Sequence, residues 1–268
     1  MKTYLALLLL LFSSTSSTLA LEYSCVTNGY FANIHILKVN PNEYALKAIK
    51  SDADRQSVAS LCTEAYGLAA INGGFWKQSG VPAGLLKVDN TYYGFGRKMR
   101  GAIGWSDGGK HVAIDRVEVI HHDDSIILTP TFDKTLSWES FTHIVGGAPL
   151  LVKDGTVIED FSSEQTLAKF LTKNYARTAI GITKEGSWVL VVVEGFPLSI
   201  VGGMSIAELA CFMHDLGCID ALNLDGGSSS TMVMGGLVMN STYGSTYQEG
   251  HFVECVSDAI VVVPINQD

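Results

Sequence analysis

The apolar positions of this chain come in short runs, and most runs have the length of a β-strand. Residues 34–39 and 44–49 read as two strands joined by the turn Asn40-Pro41-Asn42-Glu43. Residues 85–88 and 91–94 flank Asp89-Asn90, a hairpin pattern. Two more hairpins are predicted: 102–105 with 111–114 around Ser106-Asp107-Gly108-Gly109, and 179–183 with 188–194 around Lys184-Glu185-Gly186-Ser187. Residues 117–120 and 125–128 bracket His121-His122-Asp123-Asp124 in the same way. Further strands are expected at 68–71, 148–153, 156–158, 220–224, 230–234 and 258–263. Helical patterns are few: 57–66, a short one after Pro130, and 206–216. In the last of these Ser205 and Glu208 have capping-box spacing and Gly217 is a stop signal. Hairpin-linked strands with few helices predict an α+β fold: mixed, largely antiparallel β-sheets with a few packed helices, in a single domain.

The N-terminus breaks this pattern. Lys2 precedes an unbroken apolar run over residues 4–12, then small polar residues 13–18, then Thr18-Leu19-Ala20. That is the layout of a secretory signal peptide cleaved after Ala20, with a hydrophobic run too short to span a bilayer. The expected division is therefore a signal peptide at 1–20 and one domain at 21–268, secreted or periplasmic, or lumenal in a eukaryote. No membrane anchor is expected after cleavage. The whole chain of 268 residues carries 18 basic and 27 acidic residues, a net charge of −9. Loss of Lys2 with the leader makes the domain one unit more negative. This balance argues against broad binding to nucleic acid. Export permits disulfides, and Cys25 with Cys255 would close the longest loop of the five cysteines. Cys62, Cys211 and Cys218 read as buried apolar residues. No spacing suits zinc, and no metal or cofactor is expected. Asn240-Ser241-Thr242 is a glycosylation sequon.

Candidate chemistry collects where apolar strands end in glycine. Ala70-Ile71 leads to Asn72-Gly73-Gly74, and Ala221-Leu222-Asn223-Leu224 leads to Asp225-Gly226-Gly227-Ser228-Ser229. Paired glycines let a backbone turn sharply and come close to a ligand. Asn72 offers a donor and an acceptor, Gly226-Gly227 could form an anion-binding concavity, and Ser228 and Ser229 add hydroxyls. Gly146-Gly147 forms a further turn of this kind. Arg177 enters an apolar strand, where it could hold phosphate or make an ordinary ion pair. Glu194 closes the strand after Trp188. A carboxylate there suits acid–base work and also suits solvent. A serine hydrolase would need a nucleophile elbow, which residues 228–230 lack.

The order of these motifs is more specific than any one of them. AINGGFW, VGGAPLLVKDG, RTAIGIT, VVVEG and GGMSIAELACFMHDLGCIDALNLDGGSSSTM, in sequence, resemble the phosphodiester glycosidase family. The resemblance runs from about Ala70 to about Val263. It implies an exported hydrolase that cleaves a sugar-1-phosphodiester, as a small molecule or on a glycan, into free sugar and a phosphomonoester. At matching positions it implies a site of Asn72, Arg177, Asp225, Gly226, Gly227 and Ser229. Asp225, Glu194 and Arg177 are the expected catalytic residues; Asn72, Gly73, Gly74, Gly147, Gly226, Gly227, Ser228 and Ser229 are expected to bind substrate. Trp76 stands where the family usually has phenylalanine, and Ser228 where it has glycine. The alternative is a secreted carbohydrate- or phosphate-binding protein without turnover.

Overall fold

A computed structural model describes residues 8–9, 21–27, 32–96, 98–122, 125–195, 202–244, 246–248 and 251–265. The expected leader lies outside the described residues, save Leu8–Leu9.

The described strands form three large sheets and a small hairpin, and every strand pair is antiparallel. The fold is α+β and strand-rich, as the pattern predicts. A central sheet runs through Glu22–Thr27, Asn33–Val39, Trp188–Val193, Arg177–Thr183, Cys218–Asn223 and Leu150–Lys153. A second sheet is ordered Ser125–Pro130, His111–His122, Arg100–Ser106, His143–Gly146, Leu85–Val88, Thr91–Phe95. The third places Ala69–Asn72 between Met232–Met234 and Asp258–Pro264, with Tyr44–Lys50 beyond.

One apolar core joins all three. Leu37, Ile180 and Leu222 of the central sheet meet Ile103 and Val145 of the second and Leu46, Ile71 and Ile260 of the third. This core explains a departure from the hairpin pattern. The strands on either side of Asn40-Pro41-Asn42-Glu43 do not pair: Asn33–Val39 pairs with Trp188–Val193, and Tyr44–Lys50 with Asp258–Pro264. Val39 and Tyr44 both enter the core, so the turn carries the chain from one sheet to another across it.

Two other departures are local, one polar in cause and one a matter of strand length. Residues 111–122 form one strand, interrupted in sequence by Asp115-Arg116. Both side chains are buried: Arg116 pairs with Glu164 at 3.0 Å, and Asp115 accepts from the backbone of Phe132 and Asp133. His143–Gly146 is too short to show a pattern, yet it fills the second sheet between Arg100–Ser106 and Leu85–Val88.

Helix Ile206–Asp215 begins at Ser205, whose hydroxyl accepts from Glu208 N while Glu208 accepts from Ser205 N at 3.0 Å. Leu209 and Met213 pack on Ala179, Val191 and Ala221, the outer face of the central sheet. Helix Val58–Glu64 covers the third sheet through Leu61 and Cys62. No helix among the described residues is long and apolar enough to cross a membrane.

The cysteine expectations need correction. No disulfide forms among the described residues. Cys25 lies in the central sheet opposite His35, whereas Cys255 precedes the bridge from Val256 to Gln56 beside the third sheet. Cys62 and Cys218 are buried as expected, but Cys211 sits on the exposed side of its helix. The sequon is closed as well. Asn240 is buried, accepts from Met232 N and donates to the carbonyls of Ser230 and Ser241.

Candidate active site

Three strand ends meet at one edge of the molecule. Arg177 opens its strand opposite Val193, Leu224 N donates to Thr178 O, and Asp225 N donates to Gly73 O at 3.2 Å. The third sheet thereby delivers Asn72-Gly73-Gly74 onto the Asp225 loop of the central sheet.

Asn72 makes this junction. It is fully buried; its Nδ2 donates to Asp225 O at 2.8 Å, and its Oδ1 accepts from Thr178 Oγ1 at 2.7 Å and from Thr231 N at 3.2 Å. Asn72 thus holds the Asp225 loop through the Asp225 carbonyl.

The glycines come close to backbone and side chains. A Cβ on Gly73 would lie 1.9 Å from Asp258 Oδ1, on Gly74 2.7 Å from Gly146 O, and on Gly147 2.3 Å from Asn223 O. A Cβ on Gly226 would meet Ala176 O at 2.8 Å. Their amides are occupied: Gly73 N donates to Asp258 O, Gly74 N to Asp258 Oδ1, Gly226 N to Asp225 Oδ1 and Gly227 N to Ala176 O. The expected Gly226-Gly227 anion cradle is therefore closed by internal bonds.

Asp225 is partly exposed in this turn. Desolvation pushes its carboxyl up to about 7, against the bonds from Ser229 and Gly226, with the charges of Asp258 and Glu254 adding to the rise. Ser229 is buried; its hydroxyl reaches Asp225 and accepts from the Trp76 indole at 3.3 Å. A phenylalanine at position 76 could not make that bond. Ser228 is half-buried in the same short turn, Gly227–Ser229.

Arg177 is wholly buried, and among the described residues no carboxylate lies within ion-pair range of it. Its Nε donates to Met204 O, and its Nη2 to Phe170 O at 2.7 Å and Lys173 O at 3.0 Å. Nη1 has no hydrogen-bond partner. The guanidinium lies 4.5 Å from the centre of the Phe170 ring, and burial lowers its pKa to about 10. Its sequence-level alternative, a surface ion pair, does not hold.

Glu194 does not join this group. Its Oε1 accepts from Ser241 N at 2.6 Å and faces His35 Nε2 at 3.1 Å, and its Oε2 accepts from Asn33 at 3.0 Å. Burial raises its pKa, but the bonds from His35, Ser241 and Asn33 outweigh burial and hold it below the usual value. A carboxylate saturated by donors is a strut for the chain around Ser241, not a free acid–base group.

Two groups at the site escaped sequence reasoning. Asp258 is buried at the start of its strand, bonded to Gly74 N and Ser257, and desolvation pushes it up to about 6. The signal existed: an acid abutting an apolar strand, as at Asp225. Tyr243 lies under the influence of both Asp225 and Arg177, with its hydroxyl 3.5 Å from where a Gly227 Cβ would stand. Nothing in its loop marks it. No cluster of three or more metal-ligating side chains occurs among the described residues.

A family model described as phosphodiester glycosidase matches residues 65–263, which include every residue of this junction. The chain belongs to the phosphodiester glycosidase family. Among curated proteins, N-acetylglucosamine-1-phosphodiester alpha-N-acetylglucosaminidase of Mus musculus is 27% identical over 136 residues, covering 47% of this chain. The match covers 26% of that relative, so this chain corresponds to about a quarter of it. An uncharacterized prophage-derived protein of Bacillus subtilis is 26% identical over 70% of this chain and 27% of its own length. Among solved structures, the zebrafish N-acetylglucosamine-1-phosphodiester alpha-N-acetylglucosaminidase catalytic domain superposes with a TM-score of 0.66 at 19% identity, covering 96% of this chain and 88% of that one. A hypothetical protein from Synechocystis gives a TM-score of 0.69 at 16% identity, covering 92% and 64%. Both structures share the fold of this family member.

Proposed function

We propose that this chain is an exported hydrolase that cleaves a sugar-1-phosphodiester, of the N-acetylglucosamine-1-phosphodiester kind, into free sugar and a phosphomonoester. The observation that carries this reading is Asp225. It is partly exposed, held by Asn72 through its carbonyl, and tuned by its surroundings to about 7. A base with a pKa near the working pH combines availability with driving force.

In the proposed step a water oxygen bonds to the anomeric carbon while the bond from that carbon to the phosphate oxygen breaks. The phosphomonoester leaves with the electron pair, and the water proton passes to the ionised Asp225. The departing phosphate is already a stable anion, so protonating it is not required. Glycoside hydrolysis commonly uses two carboxylates. Here the partner of Asp225 is Asp258, which raises Asp225 by its like charge and orients the Gly74 amide. Arg177 supplies a buried positive charge beneath the loop, which favours negative charge on the departing phosphate.

Purified protein incubated with the methyl diester of N-acetylglucosamine 1-phosphate should release N-acetylglucosamine. Asp225→Asn should lower kcat at least a hundredfold while its circular dichroism stays that of the wild type. Tight binding without release would make the chain a binding protein, and full turnover by Asp225→Asn would remove this site. The export component rests on residues 1–20. N-terminal sequencing of secreted material should begin at Leu21.

A further inference from the structure

A cleft of about 840 Å³ opens beside the Asp225 loop, not on it. It touches the candidate site through shared residues. Phe75 follows Gly74 into its wall, Gly147 forms part of its floor, and Phe170 bears the Arg177 guanidinium on its ring. Two features separate this cleft from the rest of the surface. Its ionisable lining is basic: Lys77, Lys98, Arg100 and His121, with no Asp or Glu among the described lining residues. The whole chain has a net charge of −9, so this local excess runs against the background. The cleft also carries large apolar side chains left open to solvent, Val81 at 47%, Tyr93 at 43% and Leu167 at 77% exposure.

We propose that this cleft holds the aglycone of the phosphodiester, and that the aglycone is an apolar group bearing a negative charge of its own beyond the scissile phosphate. The proposal rests on the hydrolase reading above. A neutral hexose brings neither a charge for the basic lining nor an apolar body to cover Val81, Tyr93 and Leu167. An apolar body gains from Val81, Tyr93 and Leu167, and its charge meets Lys98 and Arg100. Aryl and alkyl acids share this chemistry, and paired substrates tell them apart.

The test compares diesters of N-acetylglucosamine 1-phosphate with benzyl alcohol, 4-carboxybenzyl alcohol, octanol, 8-hydroxyoctanoic acid and the 6-hydroxyl of methyl mannoside. Each carboxylated ester should exceed its uncharged partner and the mannoside at least tenfold in kcat/KM, mainly through KM, with the gap narrowing as salt is added. The larger gain of the two pairs names the aryl or the alkyl source. Lys98 and Leu167 are exposed and Arg100 half-buried, so their variants should fold. The double variant Lys98→Ala/Arg100→Ala should abolish the gap, and Leu167→Asp should weaken the carboxylated esters most. A best rate with the mannoside, or a gap that survives the double variant, overturns the proposal. Calorimetric titration with 4-carboxybenzyl phosphate separates it from the hydrolase reading. Binding lost in the double variant but kept in Asp225→Asn, with no ester cleaved, sustains the cleft and refutes the hydrolase. Cleavage without charge preference does the reverse.

Discussion

Asp225 couples function to stability through one proton. Its folded pKa of about 7 lies above the ordinary carboxyl value, so between about pH 4 and 7 the folded state binds more proton than the unfolded state. Stability from this group is complete at low pH and is lost as pH rises through 7. Asp225→Asn should therefore raise the melting temperature at pH 8 but not at pH 4. The activity of the wild type should rise over the same interval, as the base ionises. Asn72 works by a different route. Asn72→Ala would strand Asp225 O, Thr178 Oγ1 and Thr231 N in a buried junction, a loss of about 2–4 kcal/mol measurable by urea titration. Because Asn72 anchors the loop, kcat should fall in step. At this scale the sequence marked Asn72, Asp225 and Arg177 as important residues. Asn72 and Arg177 turned out to bond chiefly to protein: Thr178, Asp225 and Thr231 reach Asn72 from far along the chain, and the carbonyls of Phe170, Lys173 and Met204 turn onto Arg177.

At the scale of elements, the helix and the hairpins were legible because their signals are local. Capping at Ser205 follows from residues three apart, and Ser205→Ala should cost about 1 kcal/mol without affecting turnover. The end of the Trp188–Val193 strand shows the opposite case. Glu194 had the position of a catalytic acid, but Asn33 and His35 of one strand and Ser241 of a distant loop converge on it. Its lowered pKa means that its contribution is present above the ordinary carboxyl value and is lost as pH falls through the folded value. Glu194→Gln should destabilise the fold at pH 7, less so near pH 4, and retain most of the kcat of whatever protein remains folded. Loss of turnover with an unchanged melting temperature would return Glu194 to the catalytic group.

For the whole molecule, the site depends on how closely two sheets approach. Gly73 lies against Asp258 and Gly147 against Asn223, so these positions exclude any Cβ. Gly147→Ala meets a backbone carbonyl that cannot swing aside, and it should cost about 1–3 kcal/mol or more, read as a lowered midpoint of denaturation. Most of the strands, the antiparallel habit, the capped helix and the strand-end loops were determined by sequence alone, since each is encoded within a few residues by periodicity, turn chemistry or capping; Glu22–Thr27 and His143–Gly146 were not. The family, too, was legible in the order of its motifs. Only the tertiary structure decided that the strands around Asn40-Pro41-Asn42-Glu43 part into different sheets, that Asp258 and Tyr243 come within electrostatic reach of Asp225, and that Asn33, His35 and Ser241 hold Glu194. The physical reason is the same in each case. Burial of the apolar faces of three sheets in one core sets which distant strand ends meet, and a polar group's role follows from the partners that this packing brings within hydrogen-bond reach.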